Sequence, residues 1–336
     1  MIKAFISALA LAATWQAHEV SAQAPWPAKP VKLIVAGAAG SGTDITARIF
    51  ADALAKSLGQ PFVIDNRAGA NGMIGTEAVA KSPNDGYTFL FTYAAAHVVN
   101  PVLVEKLPYD ATRDFTPVVQ IGAGGNLLVV PPSMPVKDLR EFIAYAKSRP
   151  AGELVYGSWG NGSGGHLSME ALNQKAGLTL RHIPYKSSAA ANTDLIGGQL
   201  HAAFTAVASG LPLIQAGKMK PIAVSGTYRV PQLPEVRTMT EQGIPFDINA
   251  WFAIFAPAGT PPAVVNRLNR EVNRLIAAPE MAESLKRIGL AHMPIMTPEQ
   301  FGESVQRDMK DWGAIVRAGN IKADSRAGVS AWANHA

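Results

Sequence analysis

Short runs rich in β-branched and aromatic residues alternate with helical patterns along most of the chain: "VKLIVAG", "PFVIDNR", "YTFLFTY", "VVQIGAGGNLLVV", "ELVYGSW", "LRHIPY", "HAAFTAV", "MKPIAVSG" and "WFAIFAPAG". Strands that are each followed by a helix pair in parallel, with the helices packed over them, so the alternation predicts an α/β protein built of βα units around mostly parallel sheets. The 336 residues suit about two such domains at roughly 150 residues each. Two long strand-like runs, 118–130 and 250–256, stand where the chain would leave one domain and return to it, and "GAGGN" in the first supplies glycines to absorb a bend. The expected division is a discontinuous first domain, 25–124 with 253–336, a second domain, 125–252, and a cleft between them.

The first 24 residues run from Lys3 through an apolar stretch, Ala4 to Thr14, to the small residues Ser21, Ala22 and Ala24. This is the order of a secretory signal. Cleavage after Ala22 fits better than after Ala24, where Pro25 would follow directly, so residues 1–22 are read as a signal peptide. The apolar stretch is too short to span a bilayer and is broken by His18 and Glu19. No cysteine is present, which excludes disulfides and thiolate chemistry. The formal net charge of +5 comes from scattered basic residues without blocks, so nucleic-acid binding is not expected and a mild pull on small anions is.

Gly40, Ser41, Gly42, Thr43 and Asp44 lie where a strand ends and a helix, Thr43 to Leu58, begins. Ser41 is placed to cap that helix, which leaves the N–H groups of its first turn pointing out of the loop. On this helix Ile45, Ile49, Phe50, Ala53, Leu54 and Leu58 are expected to face the core, with Asp44, Arg48, Asp52 and Lys56 toward solvent. Residues 155–177 repeat the arrangement, with Gly157, Gly160, Gly162, Gly164 and Gly165 crowding the loop. So many glycines are costly unless backbone must approach something closely or adopt positive φ. Two helix N-termini facing one cleft would hold an anion, with N–H groups and Ser41, Thr43, Asn161 and Ser163 supplying hydrogen bonds. Trp159 is read either as a surface for a flat ligand or as a ring folded over its own loop. Later helices are expected from Pro261 or Pro262 to Pro279 and from a capping box at Thr297, carrying Phe301, Val305, Trp312 and Val316.

Enzyme signatures fail. "GAAGSG" lacks dinucleotide spacing, and there is no P-loop, no GxSxG elbow and no HExxH. The seven histidines are dispersed. His166 and Glu170, one helical turn apart, read as an ordinary surface pair, and His97 as either a cleft residue or a core one. No catalytic group, metal or cofactor is expected.

The segments "VAGAAGSGTDITARIFADALAKSLGQPFVIDNRAGANGMIGTEAVAKSPNDGYTFL", "GSWGNGSGGHLSMEAL" and "HIPYKSSAAANTDLIGGQLHAAF" resemble the solute receptors of tripartite tricarboxylate transporters, the TctC or Bug family, over nearly the whole chain. The resemblance implies a type II periplasmic-binding-protein fold of two α/β domains, no catalysis, and a small carboxylate ligand held by Gly37, Ala38 and the two glycine loops, including Gly160 and Gly162. It implies delivery by a monomer to a membrane permease of one large and one small subunit. The chain departs from the family's "PFxxGGSTD" at Ala36, Gly37 and Gly40 to Gly42, from its "YKG" at Ser187, and from its acid after "GGQ" at His201. Loss of the phenylalanine at Gly37 is expected to open space, and with Trp159 this suggests an aromatic dicarboxylate such as terephthalate. Ser187, Ser188, Thr205 and Ser209 are candidates for its far end. The alternatives are an aliphatic di- or tricarboxylate, an amino acid, or a secreted ester hydrolase with a serine–histidine–acid set.

Overall fold

The computed structural model describes residues 26–290 and 294–321, so the proposed signal peptide lies outside the described residues. All the strand-like runs are strands. The run 118–130 is not one strand but two, β4 (Phe115–Gly124) and β5 (Leu127–Val130), and they belong to different sheets. A side chain at Gly125 would collide with the carbonyl of Ser225. The chain therefore turns from one sheet into the other at a position only glycine can occupy.

The first sheet has the order β2-β1-β3-β10-β4, from β1 (Val31–Val35), β2 (Phe62–Asn66), β3 (Thr88–Tyr93), β4 and β10 (Ala250–Pro257). The second has the order β7-β6-β8-β5-β9, from β6 (Val155–Ser158), β7 (Arg181–Pro184), β8 (Ala202–Thr205), β9 (Lys220–Val224) and β5. Each holds a parallel trio and one reversed strand in fourth place, and in both that strand arrives from the other lobe: β10 in the first sheet, β5 in the second. β10 already pairs with β4 at Ala250, so the return point precedes residue 253.

Helices α1 (Gly42–Leu58), α2 (Met73–Ala80) and α3 (Asn100–Leu103) follow the parallel strands of the first sheet, and α4 (Leu139–Lys147) follows β5. In the second lobe α5 (Gly164–Ala176), α6 (Ser188–Ile196) and α7 (Val207–Gln215) follow β6, β7 and β8, while α8 (Pro262–Ile276), α9 (Pro279–Arg287) and α10 (Pro298–Ala318) follow β10. The helices that follow parallel strands, α1 and α5 to α7 among them, start at the carboxyl edges of those strands, where open α/β sheets place ligand sites.

The buried stripe of α1 is Ala47, Phe50, Ala51 and Leu54, whereas Ile45 is exposed and Asp44 buried. The expected face was thus rotated, because the first turn of this helix serves the loop rather than the core. Helix α8 starts at Pro262 with Val265, Leu268 and Val272 buried. The capping box at Thr297 is formed, and Phe301, Val305, Trp312 and Val316 are all buried. Helix α10 packs on both β4 and α5, so it straps one lobe to the other.

Candidate functional site

The two glycine loops are built alike, atom by atom. Gly40 and Gly162 are both left-handed, with φ of 77° and 72°, a conformation glycine adopts without strain. Each is followed by a serine N-cap: Ser41 Oγ accepts the Asp44 N–H at 3.3 Å, and Ser163 Oγ accepts the His166 N–H at 3.3 Å. The third helical residue reaches back in both loops. Asp44 Oδ2 accepts the Gly40 N–H at 2.8 Å, and His166 Nδ1 accepts the Gly162 N–H at 3.1 Å. Among the described residues this leaves the N–H groups of Gly42 and Thr43 on α1, and of Gly164 and Gly165 on α5, with no partner. Thr43, only 7% exposed, also has an uncommitted hydroxyl.

Around Asp44, burial works to raise the carboxyl, but hydrogen bonds from Arg48 (3.0 Å), the Gly40 N–H and Asn66 (3.0 Å) outweigh it and hold the group below the usual carboxylate range. Asp44 is therefore an ionised, fully engaged brace. His166 is stacked on His182 with centroids 3.9 Å apart, and burial pushes its pKa down to about 4. Neutral imidazole is what the Gly162 N–H requires as an acceptor. His166 and Glu170 are not a surface pair, since Glu170 Oε1 instead accepts the Tyr156 hydroxyl at 2.6 Å and burial raises its pKa.

The remaining candidates divide. Gly37 faces its own loop: a Cβ there would lie 3.0 Å from Ser41 Oγ and 3.1 Å from Thr43 Cβ, so those side chains rather than open space adjoin the position. Ala38 and Asn161 border the two loops with uncommitted side chains. Trp159 lies over its own loop, and a Cβ on Gly165 would meet Cζ3 of the indole at 2.5 Å. One side of the ring is thus covered. Ser163 donates its hydroxyl to Ser158, and Ser187 caps α6 through the Ala190 N–H. Ser188 and Thr205 meet at Ala206, each at 3.5 Å, with Ser209 one turn further on in α7. His201 is structural, with Nδ1 accepting the Val155 N–H at 3.1 Å.

His97 does not line the cleft. It is fully buried, stacked on Phe255 at 3.8 Å with Nε2 against the Ala111 carbonyl, and burial pushes its pKa down to about 3. Ser158 and His182 do converge at 2.7 Å, but Ser158 is fully buried and the imidazole is held neutral by burial, with a pKa of about 3. That pair lacks both access and basicity for nucleophilic catalysis.

One wall escaped the sequence reading. Gly69, Ala70, Asn71 and Gly72 all have positive φ, from 47° to 123°, at the end of β2. Such strain in Ala70 and Asn71 persists only under outside constraint. Tyr93 donates to Asn71 Oδ1, and Asn100 bonds both the Asn71 side chain and its carbonyl, all at 3.0 Å. A side chain on Gly162 would strike Leu103 and approach Asn71 Nδ2. The second loop is therefore seated against this turn of the first lobe, and "GANG" was its only signal.

Among the described residues no cluster of three metal-ligating side chains occurs, and no helix is long and apolar enough to cross a membrane. A groove of about 430 Å³ between α1, α8 and α9 is lined by Asp52, Lys56, Arg274 and Glu280, away from both loops.

Comparison with known proteins agrees with this architecture. The sequence profile of the tripartite tricarboxylate transporter family receptor matches residues 46–321. Protein BugT of Bordetella pertussis is 36% identical over 299 residues, covering 88% of this chain and 91% of that protein. A Rhodopseudomonas palustris protein, Rpa4515 with adipate, superposes with a TM-score of 0.81 at 36% identity over 88% of this chain and 99% of its own. MatC from the same organism, with bound malate, gives 0.76 at 31% identity over 87% and 100%.

Proposed function

The chain belongs to the tripartite tricarboxylate transporter receptors, and from that premise we propose that it captures a small dicarboxylate between its lobes in the periplasm and delivers it to a transporter of one large and one small membrane subunit. Residues 1–22 direct export and are removed; the first lobe comprises residues 25–124 and the chain from the start of β10 at Ala250 onward, and the second lobe lies between them. The observation that carries this reading is the pair of matched helix starts, each holding two N–H groups without a partner. Four charge-assisted bonds at about 1.5–3 kcal/mol each bracket the roughly 8 kcal/mol that micromolar binding requires. Adipate and malate in the two related structures are dicarboxylates, which favours two acidic ends.

The aromatic reading, with terephthalate as its example, rests on the side of Trp159 turned away from Gly165. Thermal unfolding of the mature protein with adipate, malate, citrate, glutamate and terephthalate tests both levels. A ligand at about a hundred times its Kd adds roughly 2.7 kcal/mol, a rise of about 4–8 °C for a chain of this size. Stabilisation by dicarboxylates is the expected result; no response to any acid would overturn the reading. A terephthalate shift that Trp159→Ala abolishes while sparing adipate supports the aromatic assignment, and an unchanged one sinks it.

A further inference from the structure

The two helix starts are alike in geometry but not in charge, and one of them has a neighbour that makes no use of its own side chain. Asn126 is 6% exposed and sits between the end of β4 and the start of β5, where the chain crosses between lobes. Its backbone is fixed on both sides: its N–H donates to Ser225 Oγ at 2.8 Å and its carbonyl accepts the Ser225 N–H at 2.9 Å. Its side-chain amide makes no hydrogen bond among the described residues. The residue is buried but its amide is free to take a ligand in place of water. Nδ2 points at the start of α5, 3.1 Å from where a Cβ on Gly164 would lie.

We propose that Asn126 is a ligand-binding residue: its side-chain N–H₂, with the N–H groups of Gly164 and Gly165, forms the principal carboxylate seat of the receptor. The assignment rests on the carboxylate reading above and gives the two ends of the ligand different roles. At α1 a carboxylate would meet the ionised Asp44, only partly offset by Arg48, which is itself half-exposed at 53%. At α5 the equivalent position is a neutral His166, and the acid on the same helix, Glu170, is turned away to the Tyr156 hydroxyl. Like charges in proximity repel, so the end that must be ionised goes to α5, and α1 takes the weaker, hydrogen-bonding end. Because the Asn126 backbone is laced to Ser225 on the returning segment, an occupied seat also grips both sides of the crossover.

The test uses adipate or terephthalate, whichever stabilises the parent protein more, and its half-amide, measured by titration calorimetry. Loss of one hydrogen bond to a charged group should weaken binding about 10-fold or more in Asn126→Ala, and Asn126→Asp, which adds a like charge, should be worse still. The diacid and the half-amide should lose affinity by the same factor, since both place their common carboxylate on this seat. Ligand-free melting of each variant controls for folding. In the parent protein, the side-chain amide signals of Asn126 in a ¹⁵N–¹H spectrum should shift on titration, which keeps the test independent of any variant. Variants that bind within threefold of the parent, unmoved amide signals, a half-amide that does not bind, or a loss confined to the diacid would each overturn the assignment. A parent protein that binds neither acid would fail one step earlier, through the functional reading itself.

Discussion

His97 packs face to face with Phe255 and edge-on to Phe115, with Nε2 held by the Ala111 carbonyl. A large buried ring replaced by a methyl leaves a cavity that neighbours only partly fill. His97→Ala should therefore cost about 2–4 kcal/mol of stability, read as a lower urea midpoint, while ligand affinity stays within twofold of the parent. A large affinity loss would return this residue to the cleft. Nothing in the local sequence separates the two roles, because the partners that bury the imidazole come from β4, β10 and the segment around Ala111. The same holds for His201, whose partner is the Val155 N–H, and for Gly37, whose missing side chain would face Ser41 and Thr43 rather than open space. Ser41 was legible as a cap because a cap is satisfied within four residues; Ser163, read only as a hydrogen-bonding loop residue, turns out to be the matching cap on α5. Asn126 was not: its polar residue type says nothing until the fold points it at a helix start.

At the scale of elements, α1 and α5 are entered by the same short phrase, Gly-Ser-Gly followed two residues later by an acceptor, Asp44 or His166. Both starts could be read from sequence because strand, turn glycine and N-cap are contiguous. The rotation of α1 and the break between β4 and β5 could not. The first depends on which turn of the helix serves the loop, and the second on the Ser225 carbonyl, far along the chain, which forbids a side chain at Gly125. The shared architecture predicts that caps at the site do two jobs. Ser163→Ala should cost about 1 kcal/mol as a lost N-cap and also weaken ligand binding severalfold, because His166 N–H and Ser158 lose the partner that fixes the loop. Thr297→Ala, a lost cap on α10 remote from both loops, should cost a similar amount and leave binding unchanged. Melting temperatures and titration calorimetry on the two variants check this; equal binding losses, or none, would deny the loop its dependence on its cap.

The whole molecule is two lobes whose cores merge on the side strapped by α10, where Trp312 meets Phe246 and Trp251 donates to Asp308 at 2.6 Å. Three shielded histidines are distributed through it: the buried His97 in the first lobe, and the buried His166 stacked on the half-buried His182 under the second loop. Burial pushes their pKa values down to about 3, 4 and 3, against an ordinary value near 6.5. From pH 6.5 downward the unfolded chain thus binds protons that the folded one refuses, so the stability these histidines contribute is present above 6.5 and lost as pH falls toward 4. Three such sites correspond to about 4 kcal/mol per pH unit at most. Asp308 and Glu170 run the other way: burial raises both, Asp308 to about 6, so the folded chain holds their protons longer and gains on acidification. The three imidazoles outweigh the two carboxyls, so the net effect of acidification below about pH 6 is a loss of stability. Urea midpoints should accordingly fall from pH 7.5 to pH 5, whereas the carboxylate affinity of the folded protein should hold over that range, because His166, with its pKa pushed down to about 4, is still neutral at pH 5. A midpoint that is flat or rises toward pH 5 would mean that these imidazoles are not held neutral, and that the second loop is braced by something other than His166.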